Sequence, residues 1–151
     1  MDKIDKKITD TLQRSGRSSS AELAQIVGVS VSTANERVRR MAATGEIRGW
    51  HAHLDPTAVG AGLCCFVLVD MAYDGEAEAC AALCAHDEVM ELHHISGAHS
   101  YIMKLRTRDT AALQAFLATH VKSLPAVQRT ETLISLEAVK ESPVIPVDGL
   151  D

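Results

Sequence analysis

The sequence predicts an α+β chain in two parts, a small helical domain followed by a domain of βαββαβ order. Apolar residues recur at helical spacing through residues 2–45, then give way to near-continuous or alternating apolar runs. Ser, Asp and Gly residues bracket the helical stretches as start and stop signals. Charge divides along the same line: residues 1–60 hold nine Lys and Arg against seven Asp and Glu, residues 61–151 six against thirteen. Such a split is expected of domains with different partners, here 1–60 and 61–151.

Composition narrows the class further. The chain is 46% hydrophobic but only 3% aromatic, so its core must be built from Ala, Val, Leu and Ile. Its longest charge-free stretch, residues 56–69, is too short and too interrupted by glycine to span a bilayer. The first residues are charged and helix-patterned, without an apolar signal segment. A soluble, cytoplasmic protein with no membrane partner is expected. The four cysteines, Cys64, Cys65, Cys80 and Cys84, lack CxxC spacing and read as reduced thiols.

Asp2 can cap a first helix running to about Ser15, with Ile4, Ile8 and Leu12 as its apolar stripe. Ser19 and Glu22 form a capping box before a short second helix that turns Leu23, Ala24 and Val27 inward. Gly28 ends that helix and permits a positive φ, while Val29 fills the space beneath the turn. Ser30 or Ser32 caps a third helix reaching Thr44, with Ala34, Val38 and Met41 inward. Short helix, glycine turn and capped polar helix in this register make a helix-turn-helix. The outward face offers Ser30, Ser32, Thr33, Asn35, Arg37, Arg39 and Arg40 as candidate DNA-contacting residues. Arg forks onto guanine or phosphate, Asn pairs with adenine, and Ser or Thr reaches either. Double-stranded DNA is the implied partner, with Lys6, Lys7, Arg17 and Arg48 as candidate phosphate contacts.

Residues 47–54 alternate as a strand or short hairpin would. In a winged helix-turn-helix a hairpin here brings Arg48, His51 and His53 to phosphates; a strand linking the domains is the equal alternative. Beyond it, residues 63–71 read as a strand covered on both faces. Residues 74–85 read as an Ala-rich helix with Ala77, Cys80, Leu83 and Cys84 on one side, and residues 89–95 and 100–106 as strands. Asp109 caps a helix burying Leu113, Phe116 and Leu117, and residues 127–136 supply the last strand. This order is ferredoxin-like, an antiparallel sheet with helices on one face. In the first strand Phe66 and Leu68 point away from Cys65, Val67, Val69 and Met71, so a symmetric partner is the expected cover for the other face.

Specific blocks stand along the chain: Glu22-Leu23-Ala24, Val27-Gly28-Val29-Ser30, Glu36-Arg37-Val38-Arg39-Arg40-Met41, Gly45-Glu46-Ile47, the turn Gly97-Ala98-His99-Ser100-Tyr101, and Arg129-Thr130-Glu131-Thr132-Leu133-Ile134. With these the chain resembles the leucine-responsive regulatory protein/AsnC family of bacterial and archaeal transcription regulators, from Ile4-Asp5 to about Pro143. The resemblance implies a sequence-specific DNA-binding regulator forming homodimers and higher homo-oligomers such as octamers. It also implies a small-molecule effector, an amino acid or a relative, held in a cleft between subunits. Carried over, the effector residues are Gly97, Ala98, His99, Ser100 and Tyr101, with Thr130, Thr132 and Ile134 on a neighbouring wall; no cofactor is implied. The family usually has an acid where this chain has Ser100, and Glu91 or Glu131 are candidate substitutes.

No catalytic constellation is present: there is no phosphate-binding glycine loop, nucleophile elbow or supported carboxylate pair. An enzyme is not expected. Two further readings remain from the residues, an architectural DNA-binding protein of low sequence specificity and a metal- or thiol-responsive regulator. The latter would use Cys80, Cys84 and His86, or His93, His94 and His99, although cysteines on an apolar helix side behave as small hydrophobes.

Overall fold

The computed structural model describes residues 1–149 of the chain and divides it into two compact units. One comprises residues 1–53 together with the segment from Lys140, the other Leu54–Val139.

In the first unit, α1 (Lys3–Arg14) opens with a capping box of its own: the Asp5 N–H donates to Asp2 Oδ1 at 2.9 Å, and the Asp5 side chain accepts from the Asp2 N–H. α2 (Ser20–Val27) begins with the Ser19–Glu22 box, in which the Ser19 N–H donates to Glu22 Oε2 at 2.6 Å and the Glu22 N–H to Ser19 Oγ at 3.2 Å. Gly28 follows with φ of +74°. Ser30 then caps α3 (Val31–Ala43), accepting from the Thr33 N–H at 3.1 Å. Ile8, Leu23, Ala24, Ala34 and Met41 are buried together, with Ile4, Leu12, Val27, Val29, Val38 and Ile47 packed round them. Apart from Ile47, which the sequence places in a strand, these are the residues that helical spacing and the glycine turn predict inward.

The strand or wing expected at residues 47–54 is not formed. Residues 48–55 have no regular secondary structure, and Trp50 is half exposed. Alternation supplies strand propensity, but a strand needs a ladder partner for its N–H and C=O groups, and none is paired with this segment. The first unit instead recruits the C-terminal tail. Gln13 Nε2 donates to the Ile145 carbonyl at 3.0 Å, while the Ile145 N–H donates to Gln13 Oε1 at 2.7 Å. One side-chain amide thus satisfies a backbone pair as a neighbouring strand would.

The second unit is a four-stranded antiparallel sheet of order β2-β3-β1-β4, built from β1 (Leu63–Met71), β2 (Val89–His94), β3 (Tyr101–Thr107) and β4 (Val127–Ile134). Val67 pairs with Met103 on one side and Thr132 on the other, so these side chains share a face. That face is covered by α4 (Glu76–Cys84) and by α5 (Thr110–Phe116), which continues through a π-helical turn at Leu117–Val121. Cys65, Val67, Val69, Tyr101, Met103 and Leu105 are buried there against Ala79, Leu83, Leu113, Phe116, Leu117 and Val121. The order and the alternation of β1 follow the ferredoxin-like expectation.

The phase of α4 does so only in part, for Cys80 and Leu83 but not for Ala77 and Cys84. Ala79 and Leu83 are buried and Cys80 partly so, whereas Ala77 and Cys84 are exposed. Its sequence, EAEACAALC, is nearly uniform in polarity beyond the first turn, so periodicity cannot orient it. No described helix is long and apolar enough to cross a membrane.

A Cβ at Gly28 would meet no atom within 4 Å, so only the left-handed backbone opposes a side chain there. Gly28→Ala is expected to destabilise the first unit by about 1–2 kcal/mol, measured by urea unfolding followed through helical circular dichroism.

Candidate nucleic-acid interface and effector turn

α3 is held against α1 by an ion cluster centred on the buried Asp5 carboxylate. Arg37 Nη1 donates to Asp2 Oδ2 at 2.6 Å and to Asp5 Oδ1 at 2.8 Å, and Arg40 Nη2 donates to Asp5 Oδ2. The Asp5 side chain is only 3% exposed. Burial raises its pKa, but the hydrogen bonds from Arg37 and then Arg40 outweigh that and hold the carboxyl below its ordinary value of 3.8. Asp2 is lowered too, first by the Asp5 N–H and then by Arg37.

These pairs sort the candidate DNA residues. Arg37, 22% exposed at its side chain, and Arg40 are committed to α1. Ser30 spends its hydroxyl on the cap and on Ser32 Oγ (2.9 Å) and Thr33 Oγ1 (2.8 Å). Ser32, Asn35 and Arg39 stand exposed, and Thr33 is half-buried. Lys7, Arg17 and Arg48 are exposed and Lys6 half-buried. Lys6 and Arg48 line a cleft of about 790 Å³ with Leu12, Trp50, Ile145 and Asp148.

The effector candidates fall into two groups. Gly97, with φ of +124°, shapes a turn closed by the Ile95 N–H on the Ser100 carbonyl at 2.9 Å. Gly97 and Ala98 are exposed. His99 Nδ1 lies 3.2 Å from Asp70 Oδ2 and its Nε2 3.6 Å from Glu131 Oε2. The Ser100 N–H donates to Asp70 Oδ1 at 3.1 Å. Burial works to raise the Asp70 pKa, but the Ser100 N–H and His99 prevail and lower it. Asp70 therefore supplies a carboxylate to a turn that has none of its own.

Tyr101 points to the helix-covered face, stacked on His94 with ring centroids 4.8 Å apart; burial first, then Glu76 and Cys80, push its pKa up. Thr130, Thr132 and Ile134 share that face but line a separate hollow of about 390 Å³ beside α5, with Leu113, Gln114 and Lys122. Tyr101 and Thr130 both pair with Val69, so β1 keeps them about 9–10 Å apart. The eight candidates thus lie in separate places on the sheet.

The other candidate chemistry is dispersed. Burial raises the Cys65 thiol to about 11. His86 packs on Phe116 and His120, with ring centroids 5.3 and 4.2 Å away. Among the described residues no three His, Cys, Asp or Glu side chains are placed to hold one metal ion.

Sequence reasoning missed Asp5 and Asp70. For Asp5 a signal existed: it stands three residues after the cap and beside the Ile4–Ile8–Leu12 stripe. Asp70 carried none, because its partners are 29 and 30 residues away.

Because the folded-state pKa of Asp5 lies below 3.8, its contribution to stability is complete above that pH and is lost as pH falls through the folded value. Asp5→Asn is expected to cost about 1.5–3 kcal/mol at neutral pH and to flatten the acid limb of the stability profile. Urea unfolding at pH 7 and pH 3 measures both.

Comparison with known proteins agrees with this architecture. The AsnC-type helix-turn-helix domain matches residues 1–42, and the Lrp/AsnC ligand binding domain matches residues 64–145. The HTH-type transcriptional regulator FL11 of Pyrococcus horikoshii is 33% identical, covering 97% of each chain. The leucine-responsive regulatory protein of Salmonella typhimurium is 37% identical over 94% of this chain and 88% of its own. Among solved structures, Escherichia coli AsnC superimposes with a TM-score of 0.82 at 31% identity, covering 97% of this chain and 96% of its own. A Neisseria meningitidis transcriptional regulator in complex with L-Met reaches 0.91 at 27% identity, covering 98% and 97%. The chain belongs to the Lrp/AsnC family of helix-turn-helix transcription regulators.

Proposed function

We propose that this regulator reads its operator with the exposed side of α3 and works as a cytoplasmic homodimer or higher homo-oligomer whose DNA binding responds to an amino acid. The observation that carries the reading is the Asp2–Asp5–Arg37–Arg40 cluster. It fixes α3 from behind and leaves Ser32, Asn35 and Arg39 outward, the arrangement a groove-inserted helix needs. Arg39 is the arginine assigned to the DNA; Arg37 and Arg40 are positioning residues.

Dimerisation is supported by the second face of the sheet. Phe66, Leu68 and Ile102 lie there half-buried, and Leu133 is exposed. A second copy laid on this face would remove apolar surface from water and pair two recognition helices with two half-sites. The effector reading is supported by the two partial sites: the 97–101 turn with Asp70 from one subunit, and the Thr130, Thr132 and Ile134 hollow from another, would together enclose a ligand. Asp70 or Glu131 would face its ammonium group, the role an acid at position 100 would otherwise fill. The related Neisseria protein with L-Met bound supports an amino acid as the class.

Three measurements test this. Arg39→Ala is expected to weaken operator binding by about 1–3 kcal/mol in a gel-shift titration with an unchanged melting temperature; unaltered affinity rejects the assigned face. Leu68→Lys is expected to lower the oligomeric state in analytical ultracentrifugation, and an unchanged sedimentation profile rejects that face as the dimer contact. A thermal-shift screen of amino acids is expected to raise the melting temperature for at least one, with the rise abolished by Asp70→Ala. No responsive amino acid in full-length protein rejects the effector class.

A further inference from the structure

α3 carries a carboxylate where a helix laid against a polyanion would be expected to carry none. At 3.6 residues per turn, Ser32, Glu36, Arg39 and Ala43 fall within about 60° of one another round the axis, opposite the buried Ala34 and Met41. Glu36 is exposed within that stripe, between Ser32 and Arg39 along the axis. It has two potential helical neighbours of opposite charge, Arg39 and Arg40, three and four residues on. Arg40 is drawn off to Asp5, and among the described residues Glu36 forms no ion pair or hydrogen bond.

We propose that Glu36 is a base-reading residue, accepting a hydrogen bond in the major groove from an exocyclic amino group, the N4 of cytosine or the N6 of adenine. The inference rests on the reading of α3 as the groove-facing helix. A carboxylate only accepts hydrogen bonds, and phosphate, guanine O6 and N7 and thymine O4 are acceptors as well. On the floor of the groove, the two amino groups are therefore the base-edge donors that can satisfy it. Beside any other base it stands desolvated and unpaired, which penalises the wrong sequence. Arg39, on the same stripe one turn further, supplies the opposite preference for guanine. Ser32–Glu36–Arg39 thus presents hydroxyl, acceptor and donor in succession along one line of the helix.

The test selects duplexes from a randomised pool with full-length wild-type protein and with Glu36→Ala. Wild type is expected to enrich a motif with one position fixed as cytosine or adenine, and Glu36→Ala to enrich the same motif with that position relaxed. The identity of the fixed base decides between the two amino-group donors. Replacing that base by an analogue lacking its amino group, 2-pyrimidinone for cytosine or purine for adenine, is expected to weaken wild-type binding about ten- to a hundredfold and to leave Glu36→Ala unaffected. If Glu36→Ala binds every duplex more tightly by one common factor and keeps the same base preferences, Glu36 merely repels phosphate and the proposal is overturned. If wild type enriches no motif at all, the groove-facing reading of α3 falls with it.

Discussion

The N-terminal unit depends on one carboxylate. Asp5 sits in the first turn of α1, almost wholly enclosed, and accepts from two arginines one helical turn apart on α3. Removing a charge from water is costly, and a buried ion pair repays that cost only when every lone pair finds a partner. Here both oxygens do, and the Asp2 carboxylate shares Arg37. The apolar contacts of Ile8, Leu23, Ala24, Ala34 and Met41 bring the three helices together, but hydrophobic burial is non-directional. Two directional pairs to one group remove that freedom. They set the rotation of α3 about its own axis, and hence which of its side chains face outward.

The same cluster shows why some of the site was legible in sequence and some was not. Local signals read well: Asp2, Ser19 and Ser30 cap their helices as their positions predict, and Gly28 takes the left-handed conformation the corner requires. β1 was legible to the residue because Cys65, Val67, Val69 and Met71 alternate with Cys64, Phe66, Leu68 and Asp70. Counting arginines on α3 could not reveal that two of the three are engaged, since their partners lie 32 to 35 residues earlier. α4 was legible only in part, for a different reason: Leu83 turns inward as expected, but beyond the first turn the remaining alanines and cysteines give little contrast between its sides, so its neighbours set its rotation. Residues 47–54 have the alternation of a strand, yet alternation expresses a preference that only a pairing partner can realise.

In the second unit, the covered face of the sheet is packed with Val67, Val69, Met103 and Leu105, while the opposite face offers Phe66, Leu68, Ile102 and Leu133. The effector candidates follow the same division: His99 reaches Asp70 and Glu131 on the uncovered side, whereas Tyr101, Thr130, Thr132 and Ile134 take the helix side. On the proposed reading, ligand occupancy and subunit assembly become one equilibrium, since the pocket exists only where copies meet and each stabilises the other.

The return of the tail makes the linear order of the chain a poor guide to its autonomy. Because the Gln13 side-chain amide satisfies both backbone groups of Ile145, the sheet unit is in effect an insertion between residue 53 and residue 140 of the helical one. A fragment cut at the apparent boundary near residue 60 would leave the Gln13 amide to water and strip Ile145 and Val147 from the cleft they line with Leu12 and Ile47. An isolated DNA-binding half would be faithful only if it carried residues 140–149 back to that cleft, joined by a short artificial bridge in place of the sheet.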